Sequence, residues 1–400
     1  MPDTHRFDAD VLIVGAGPAG LALAAALADA GLHALVLERQ PRDTLATPAE
    51  DGREIALTHR ARSILQRLGW WERLTADDMA PLNEARVADG DAPARLRFGP
   101  GVQAPLGWLV PNHRLRAVGW AAAGARPRVT IETGVEVTAL ARDAAGATLT
   151  LADGRTRRAP LVVAADSRFS AVRRLAGIGA SMRDFGRSVV VDRVAHEAPN
   201  RGIAWECFRH GHTLALLPMN GGCSSAVVTL PSEQAPDWLA LDDDGFAARV
   251  QAASGGVLGG LRATGPRHHY PLVGVYAQRF VGPRFALIGD AAVGMHPVTA
   301  HGFNFGLYGV EVLARELQRR RRALDLNPAP ALAAYEAEHR RTTWPIYQGT
   351  NAVVSLFTDE RPLARVLRPA VLALAGQAPG LRTLVRSVIT RQLTGSGLPA

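Results

Sequence analysis

After a short polar start, Asp10 to Val14 (DVLIV) is an unbroken apolar run bounded by glycine. Continuous apolar character over so few residues is the pattern of a strand covered on both faces, as in a parallel sheet. Gly17 to Ala30 is alanine-rich and stops at Gly31, which predicts a helix, and His33 to Glu38 (HALVLE) repeats the buried-strand pattern. Together the three segments make a βαβ unit. Further along, helices are expected over Glu54 to Leu68, with Gly52 and Arg53 in the loop before it and Gly69 as its stop, and over Asn112 to about Ala123. Strands are expected over Val129 to Leu140, Ala147 to Leu151 and Pro160 to Ala165.

Between about Ser188 and Pro271 the pattern shortens to runs such as SVVVDRVA, IAWECF, TLALLP and SSAVVTL, separated by glycine and polar turns. This reads as a mainly antiparallel sheet with one helix near Asp244 to Ala253. The buried-strand pattern returns at Arg284 to Ile288 (RFALI), so the first domain is expected to be completed from far along the chain, with the central sheet as an insertion. From Phe303 onward the chain reads as mostly helical. The expected fold class is α/β, and its parts are a discontinuous first domain (residues 1–75, 100–180 and 272–345), a β-sheet domain (76–99 and 181–271) and a C-terminal helical segment (346–400).

Composition removes several functions. The 400 residues include 45 positive side chains and not one lysine, so every one of them is arginine. A guanidinium does not form Schiff bases, and a Walker-type phosphate loop needs lysine, so both chemistries are excluded. The net charge of +8 reads as compositional bias toward arginine, and no RRM, KH or zinc-finger signature accompanies it, so no nucleic-acid partner is expected. Cys207 and Cys223 are too few for a disulfide framework or a cysteine metal cluster; two inert buried thiols in a reducing compartment, and no metal site, are the expectation. The opening MPDTHRFDAD has acids and no apolar h-region, and no run of about 20 apolar residues occurs, so a cytoplasmic protein is expected, with peripheral contact at the inner face of a membrane left open.

The first chemical motif is Gly15-Ala16-Gly17-Pro18-Ala19-Gly20, placed between strand and helix, with Glu38 closing the next strand 18 residues later and Arg39 beside it. Gly15 permits a tight turn, Gly17 lets backbone amides approach a pyrophosphate, and Gly20 lets the helix pack close to the strand. The helix N-terminus brings about half a positive charge to that phosphate. Glu38 would accept hydrogen bonds from ribose hydroxyls. The motif alone does not separate FAD from NAD.

A second segment, ALIGDAAVGMHPVTAHGFNFG from Ala286 to Gly306, resembles the GD motif of the FAD-dependent aromatic hydroxylases, the group that includes para-hydroxybenzoate hydroxylase. Physically, a strand ending in Gly289-Asp290 offers a carboxylate to ribityl hydroxyls, Pro297 fixes a turn, and Gly302-Phe303-Asn304 opens a helix whose amides could stabilise negative charge on the flavin pyrimidine. A third, LVVAADSRFSAVR from Leu161 to Arg173, is similar to the family's D-G motif, with Asp166, Ser170 and Arg173 in place and Ser167 where the family has glycine. Arg53 in GREIAL and Arg114 in PNHRL match arginines that the family places near FAD. The N-H-R-L and P-x-x-x-H-G-F-N segments look most like the ubiquinone-biosynthesis ring hydroxylases, which more often have histidine at the position of Val293 and glutamine at that of His301.

The resemblance implies an FAD-binding Rossmann-like domain interleaved with a mainly antiparallel substrate domain, followed by C-terminal helices. It implies hydroxylation of an aromatic ring: NADPH or NADH reduces FAD, O₂ reacts to give a flavin C4a-hydroperoxide, and the protein binds, orients and excludes water. Only one dinucleotide fingerprint is present, so the nicotinamide cofactor would bind transiently. Pro297 and His301 would lie on the substrate side of the flavin; His210, His212, His268, His269 and Tyr270 are weaker candidates for holding a phenol. The expected substrate is a polyprenyl phenol or quinol. The alternatives are a soluble phenol of secondary metabolism, or a structural FAD-binding subunit of a membrane-associated complex. From Arg361 to Ala400 six arginines (361, 365, 368, 382, 386 and 391) and no acid alternate with apolar residues, a pattern that fits either a basic amphipathic helix on an anionic membrane or a helix packed on the protein.

Overall fold

The computed structural model describes residues 7–89, 96–99, 105–208, 211–295, 302–320 and 327–358. Its central layer is a six-stranded sheet in the order Val281–Gly282, Phe285–Leu287, Leu161–Ala164, Val11–Val14, Ala34–Glu38 and Val129–Thr133. All neighbours are parallel except the antiparallel edge strand Val281–Gly282. Val11 to Val14 are all buried, which explains why the sequence shows no polar alternation there. The helix Pro18–Asp29 contributes Leu21, Leu23 and Leu27 to the same core.

Two expected elements divide in the structure. Val129 to Leu140 breaks at Gly134, whose φ of 70° suits only glycine well, into Val129–Thr133 in the central sheet and Val137–Arg142 in a separate antiparallel sheet with Ala147–Leu151 and Thr156–Ala159. Glu54 to Leu68 is not one helix. Glu54–Leu57 is a strand paired with Gly107–Pro111, and the helix His59–Arg67 starts only after Thr58, whose Oγ1 accepts from the Ala61 amide at 3.1 Å. An N-cap in extended conformation cannot continue a helix backward, so the residues before it are free to pair. The expected pair of buried thiols also needs correction: Cys207 is buried, but Cys223 is partly exposed.

The second large layer is a nine-stranded sheet built on the long strand Ala180–His196, which pairs with Cys223–Pro231 and with His268–Ala277. Glu84–Asp89 joins it in parallel beside Ile203–Phe208. One face, with Val190, Val194, Leu214, Leu216 and Val228, is buried under the helix Asp243–Ser254 through Phe246 and Val250. Strand alternation turns Val189, Val191, Arg193, Leu217, Ser225 and Val227 to the other face. The helix itself is fixed at both ends, by Asp242 Oδ1 accepting from the Gly245 amide at 2.8 Å and by Gly255 at φ 67°.

Helices Gly302–Arg319 and Ala329–Thr358 pack together behind the central sheet. Tyr335 Oη donates to the Leu287 carbonyl at 2.6 Å, and the buried His339 ring meets Tyr335 Oη through Nδ1 at 3.0 Å. Burial pushes His339 down to about 4. The unfolded chain takes up this proton near pH 6.5 and the folded chain only near 4, so the stability it contributes is complete above about 6.5 and is lost as the pH falls through that window. The loss is expected to be on the order of 3 kcal/mol by pH 4. Urea midpoints of the wild type and His339→Gln, compared from pH 7 to 4, check this: the variant's profile should be flatter, and parallel profiles would contradict it. The basic stretch from Arg361 to Ala400 lies outside the described residues.

Candidate cofactor and substrate site

In the glycine-rich loop, Gly15 sits at φ 109°, and a Cβ there would lie 2.6 Å from the Ala165 carbonyl oxygen; one on Gly20 would lie 1.9 Å from that of Gly15. These two glycines are demanded by the fold itself. Gly17 is different. Its φ of −71° and ψ of 175° suit any residue, and a Cβ would meet nothing within 4 Å. It stands at the N-terminus of Pro18–Asp29, which has no side-chain cap, with Pro18 at the first turn and Pro18 and Ala19 only half-buried. Open space before an uncapped helix start is where a phosphate gains backbone donors and the helix dipole. Glu38 is fixed at its mouth: one carboxylate oxygen accepts from the Ala16 amide at 2.7 Å and the other from the Gln40 amide at 2.9 Å. Each oxygen keeps acceptor capacity for a ribose hydroxyl. Arg39 follows as an exposed side chain.

The Gly289–Ala291 turn lies against this loop. Gly289 has φ 57°, a Cβ on it would lie 2.8 Å from Ala19 Cβ, and one on Gly306 would lie 3.6 Å from Gly289 Cα. Turn, first helix and the helix opening at Gly302 therefore meet at backbone distance. Asp290 Oδ2 accepts from Arg168 Nη2 at 3.1 Å, while Arg168 Nη1 donates to the Val273 carbonyl at 3.1 Å. Buried Arg173 donates to the carbonyls of Ala291 at 2.8 Å and Arg168 at 3.2 Å. Asp166 accepts from Ser170 Oγ at 2.5 Å and from the Ala171 amide at 2.9 Å, so its carboxylate organises the turn into the helix Ala171–Leu175. Ser167 takes no left-handed backbone conformation, so serine fits where glycine is the usual residue. Sequence reasoning missed Arg168; its place inside D-S-R-F-S was the available signal.

At the helix start, a Cβ on Gly302 would meet open space, and Phe303 is half-buried. The Asn304 side chain donates to the Ala56 carbonyl at 2.8 Å and accepts from the Thr58 amide at 3.1 Å. It thus ties the helix to the Glu54–Leu57 strand. Pro297, His301 and His210 lie outside the described residues.

The two arginines each carry an acid. Arg53 is paired with Asp51 at 2.6 Å, with its guanidinium 5.4 Å from the centre of the Tyr270 ring, and Tyr270 Oη donates to the Asp51 carbonyl at 2.6 Å. Burial works to raise Asp51, but the hydrogen bonds from Arg53 and Asn112 prevail and hold it below its usual range. Arg114 makes a two-point contact with Asp78, at 2.7 and 3.1 Å. His212 packs near Trp238, His269 is exposed, and His268 lies close to Gly52, where a Cβ would come within 2.6 Å of its ring.

The FAD binding domain family matches residues 8–350, which is most of the chain. The chain is 41% identical over 393 residues to the ubiquinone hydroxylase UbiM of Neisseria meningitidis serogroup C / serotype 2a, covering 96% of this chain and 84% of that protein. It is 40% identical over 382 residues to the ubiquinone hydroxylase UbiL of Rhodospirillum rubrum, covering 94% and 89%. In fold it is similar to p-nitrophenol 4-monooxygenase PnpA of Pseudomonas putida DLL-E4, with a TM-score of 0.77 at 19% identity over 96% of this chain and 98% of that one. The chain belongs to the FAD-binding-domain family. It is a flavin-dependent monooxygenase, and its cofactor is FAD.

Proposed function

We propose that the protein uses NADPH or NADH and O₂ to hydroxylate the ring of a polyprenyl phenol or quinol on the route to ubiquinone. The observation that carries this reading is the 40–41% identity to two ubiquinone hydroxylases over at least 94% of the chain. In this reading residues 1–75, 100–180 and 272–345 hold FAD and residues 76–99 and 181–271 hold the ring, while the boundary expected at residue 346 falls inside the continuous helix Ala329–Thr358. The stretch from Arg361 onward would meet an anionic membrane surface from which a prenylated ring is drawn. No helix among the described residues is long and apolar enough to cross a membrane.

The residues fit FAD at three points. Gly17 and the helix behind it would hold the pyrophosphate, Glu38 the adenosine ribose, and Asp290, oriented by Arg168, the ribityl chain; Arg53 and Arg114, each paired with an acid, would add guanidinium donors but no net charge, and the amides at Gly302, Phe303 and Asn304 would face the pyrimidine end. When bound, FAD supplies electron transfer and oxygen activation, which no side chain provides. The protein's own contribution is to hold the ring against the face of the nine-stranded sheet that carries Val189 and Ser225 and keep water out.

The test is a panel of prenylated and soluble phenols offered to FAD-loaded protein, with products identified by mass. Prenylated phenols should accelerate NAD(P)H oxidation and gain a hydroxyl. Turnover of soluble phenols alone would overturn the ubiquinone assignment in favour of secondary metabolism, and tight FAD with no turnover of any phenol would favour a structural subunit.

A further inference from the structure

Between the Glu54–Leu57 strand and the face of the nine-stranded sheet that carries Arg193 and Ser225 lies a small pocket, lined by Glu50, Glu54, Arg193, Met219, Ser225 and His268 among others. It has room for about one water-sized group. Gly52 closes one end by approaching His268. Its charged groups lie in ion pairs: Arg193 Nη2 is paired with Glu50 at 2.5 Å, and Asp192 Oδ2 lies 3.3 Å from Arg267, although Arg193 Nε and Asp192 Oδ2 make no hydrogen bond among the described residues.

Two further polar side chains have no such pairing. Ser225 is 2% exposed, and its hydroxyl has no hydrogen-bond partner among the described residues. Glu54 is half-buried, and no hydrogen bond or ion pair within contact distance to its carboxyl is found among the described residues. A buried hydroxyl without a partner is disfavoured by roughly 1–3 kcal/mol, so a group that restores the bond has a ready gain. Burial raises the Glu54 carboxyl to about 8, with Arg193 opposing the rise and Glu50 and Asp51 adding to it. At neutral pH this carboxyl is protonated and offers a neutral donor and acceptor, which suits an uncharged oxygen.

The pocket is also close to the cofactor-facing helix. Ala56 lies two residues beyond Glu54 on the same strand, and its carbonyl accepts from Asn304 at 2.8 Å. Two residues of strand span about 7 Å, roughly the length of one aromatic ring with its substituents. We propose that the pocket receives an oxygen substituent of the aromatic substrate, with Glu54 and Ser225 as its hydrogen-bond partners. This rests on the hydroxylase reading above. The pocket's size admits a ring hydroxyl and not the ring, so it selects rings that carry an oxygen at the far edge.

The probe is 2-geranylphenol, with its methyl ether as the partner compound lacking the hydroxyl proton. Dissociation constants are measured by titration on FAD-loaded wild type, Glu54→Leu, Glu54→Gln and Ser225→Ala, together with FAD content, melting temperature and the ratio of hydroxylated product to hydrogen peroxide. Glu54→Leu should weaken binding of the phenol about 10- to 100-fold and shift turnover toward peroxide, with the ether unchanged within about twofold. Glu54→Gln, which keeps a neutral donor and acceptor, should stay within a few-fold of wild type, and Ser225→Ala should weaken the phenol alone by a few-fold. FAD content should be full throughout. Phenol binding independent of both side chains, or equal losses for phenol and ether in folded variants, would overturn the pocket assignment alone. A wild type that retains FAD but binds neither compound would overturn the substrate reading and the pocket with it.

Discussion

Gly17→Val is expected to leave the apoprotein folded and to abolish its retention of FAD. The backbone at Gly17 is extended, and a Cβ there contacts nothing within 4 Å, so the side chain enters open space and the stability change should stay within about 1 kcal/mol. That same space lies before the helix start, and a branched side chain there would hold a pyrophosphate off the amides, weakening FAD by more than about a hundredfold. Gly20→Val makes the contrast. Its Cβ would stand 1.9 Å from the Gly15 carbonyl oxygen, so the loop itself must break and the melting temperature should fall as well. Flavin absorbance after gel filtration, with thermal melting of the apoproteins, separates the two; a Gly17→Val protein that remains yellow would mean the cofactor lies elsewhere.

Asp290→Ala should weaken FAD by about 10- to 100-fold, the loss of charge-assisted hydrogen bonds from a carboxylate held in place. Asp290 stands on a turn pressed against Ala19 and is held by Arg168, which Val273 holds in turn. Because Arg168 retains the Val273 carbonyl, the variant should fold. Arg168→Ala should give a smaller loss, since the carboxylate remains but is no longer oriented. FAD titration of the apoproteins checks the order; unchanged affinity in Asp290→Ala would remove Asp290 from the cofactor site.

Much of the framework is legible in the sequence because local rules and tertiary demands agree there. Val11 to Val14 has no polar residue because both faces are covered, and Gly15 and Gly20 stand where any Cβ would collide with backbone. The misreadings arise where a local preference is overruled by a partner distant in sequence. Glu54 to Leu57 has residues that favour helices, yet it pairs with Gly107–Pro111, a strand about fifty residues away that the apolar pattern did not mark. The partners of the site residues were hidden for the same reason: Arg168 reaches Asp290 across 122 positions, and Arg114 reaches Asp78 across 36. Glu54 itself drew no notice, because one glutamate in a charged stretch reads as a surface residue until the facing sheet is in place.

The central claim is ring hydroxylation with oxygen from O₂, and isotope labelling tests it most directly. FAD-loaded protein, NAD(P)H and 2-geranylphenol under ¹⁸O₂ should yield a hydroxylated product carrying one ¹⁸O atom on the ring. A ring hydroxyl with ¹⁶O from water, or consumption of ¹⁸O₂ recovered wholly as hydrogen peroxide with the phenol unchanged, would contradict it.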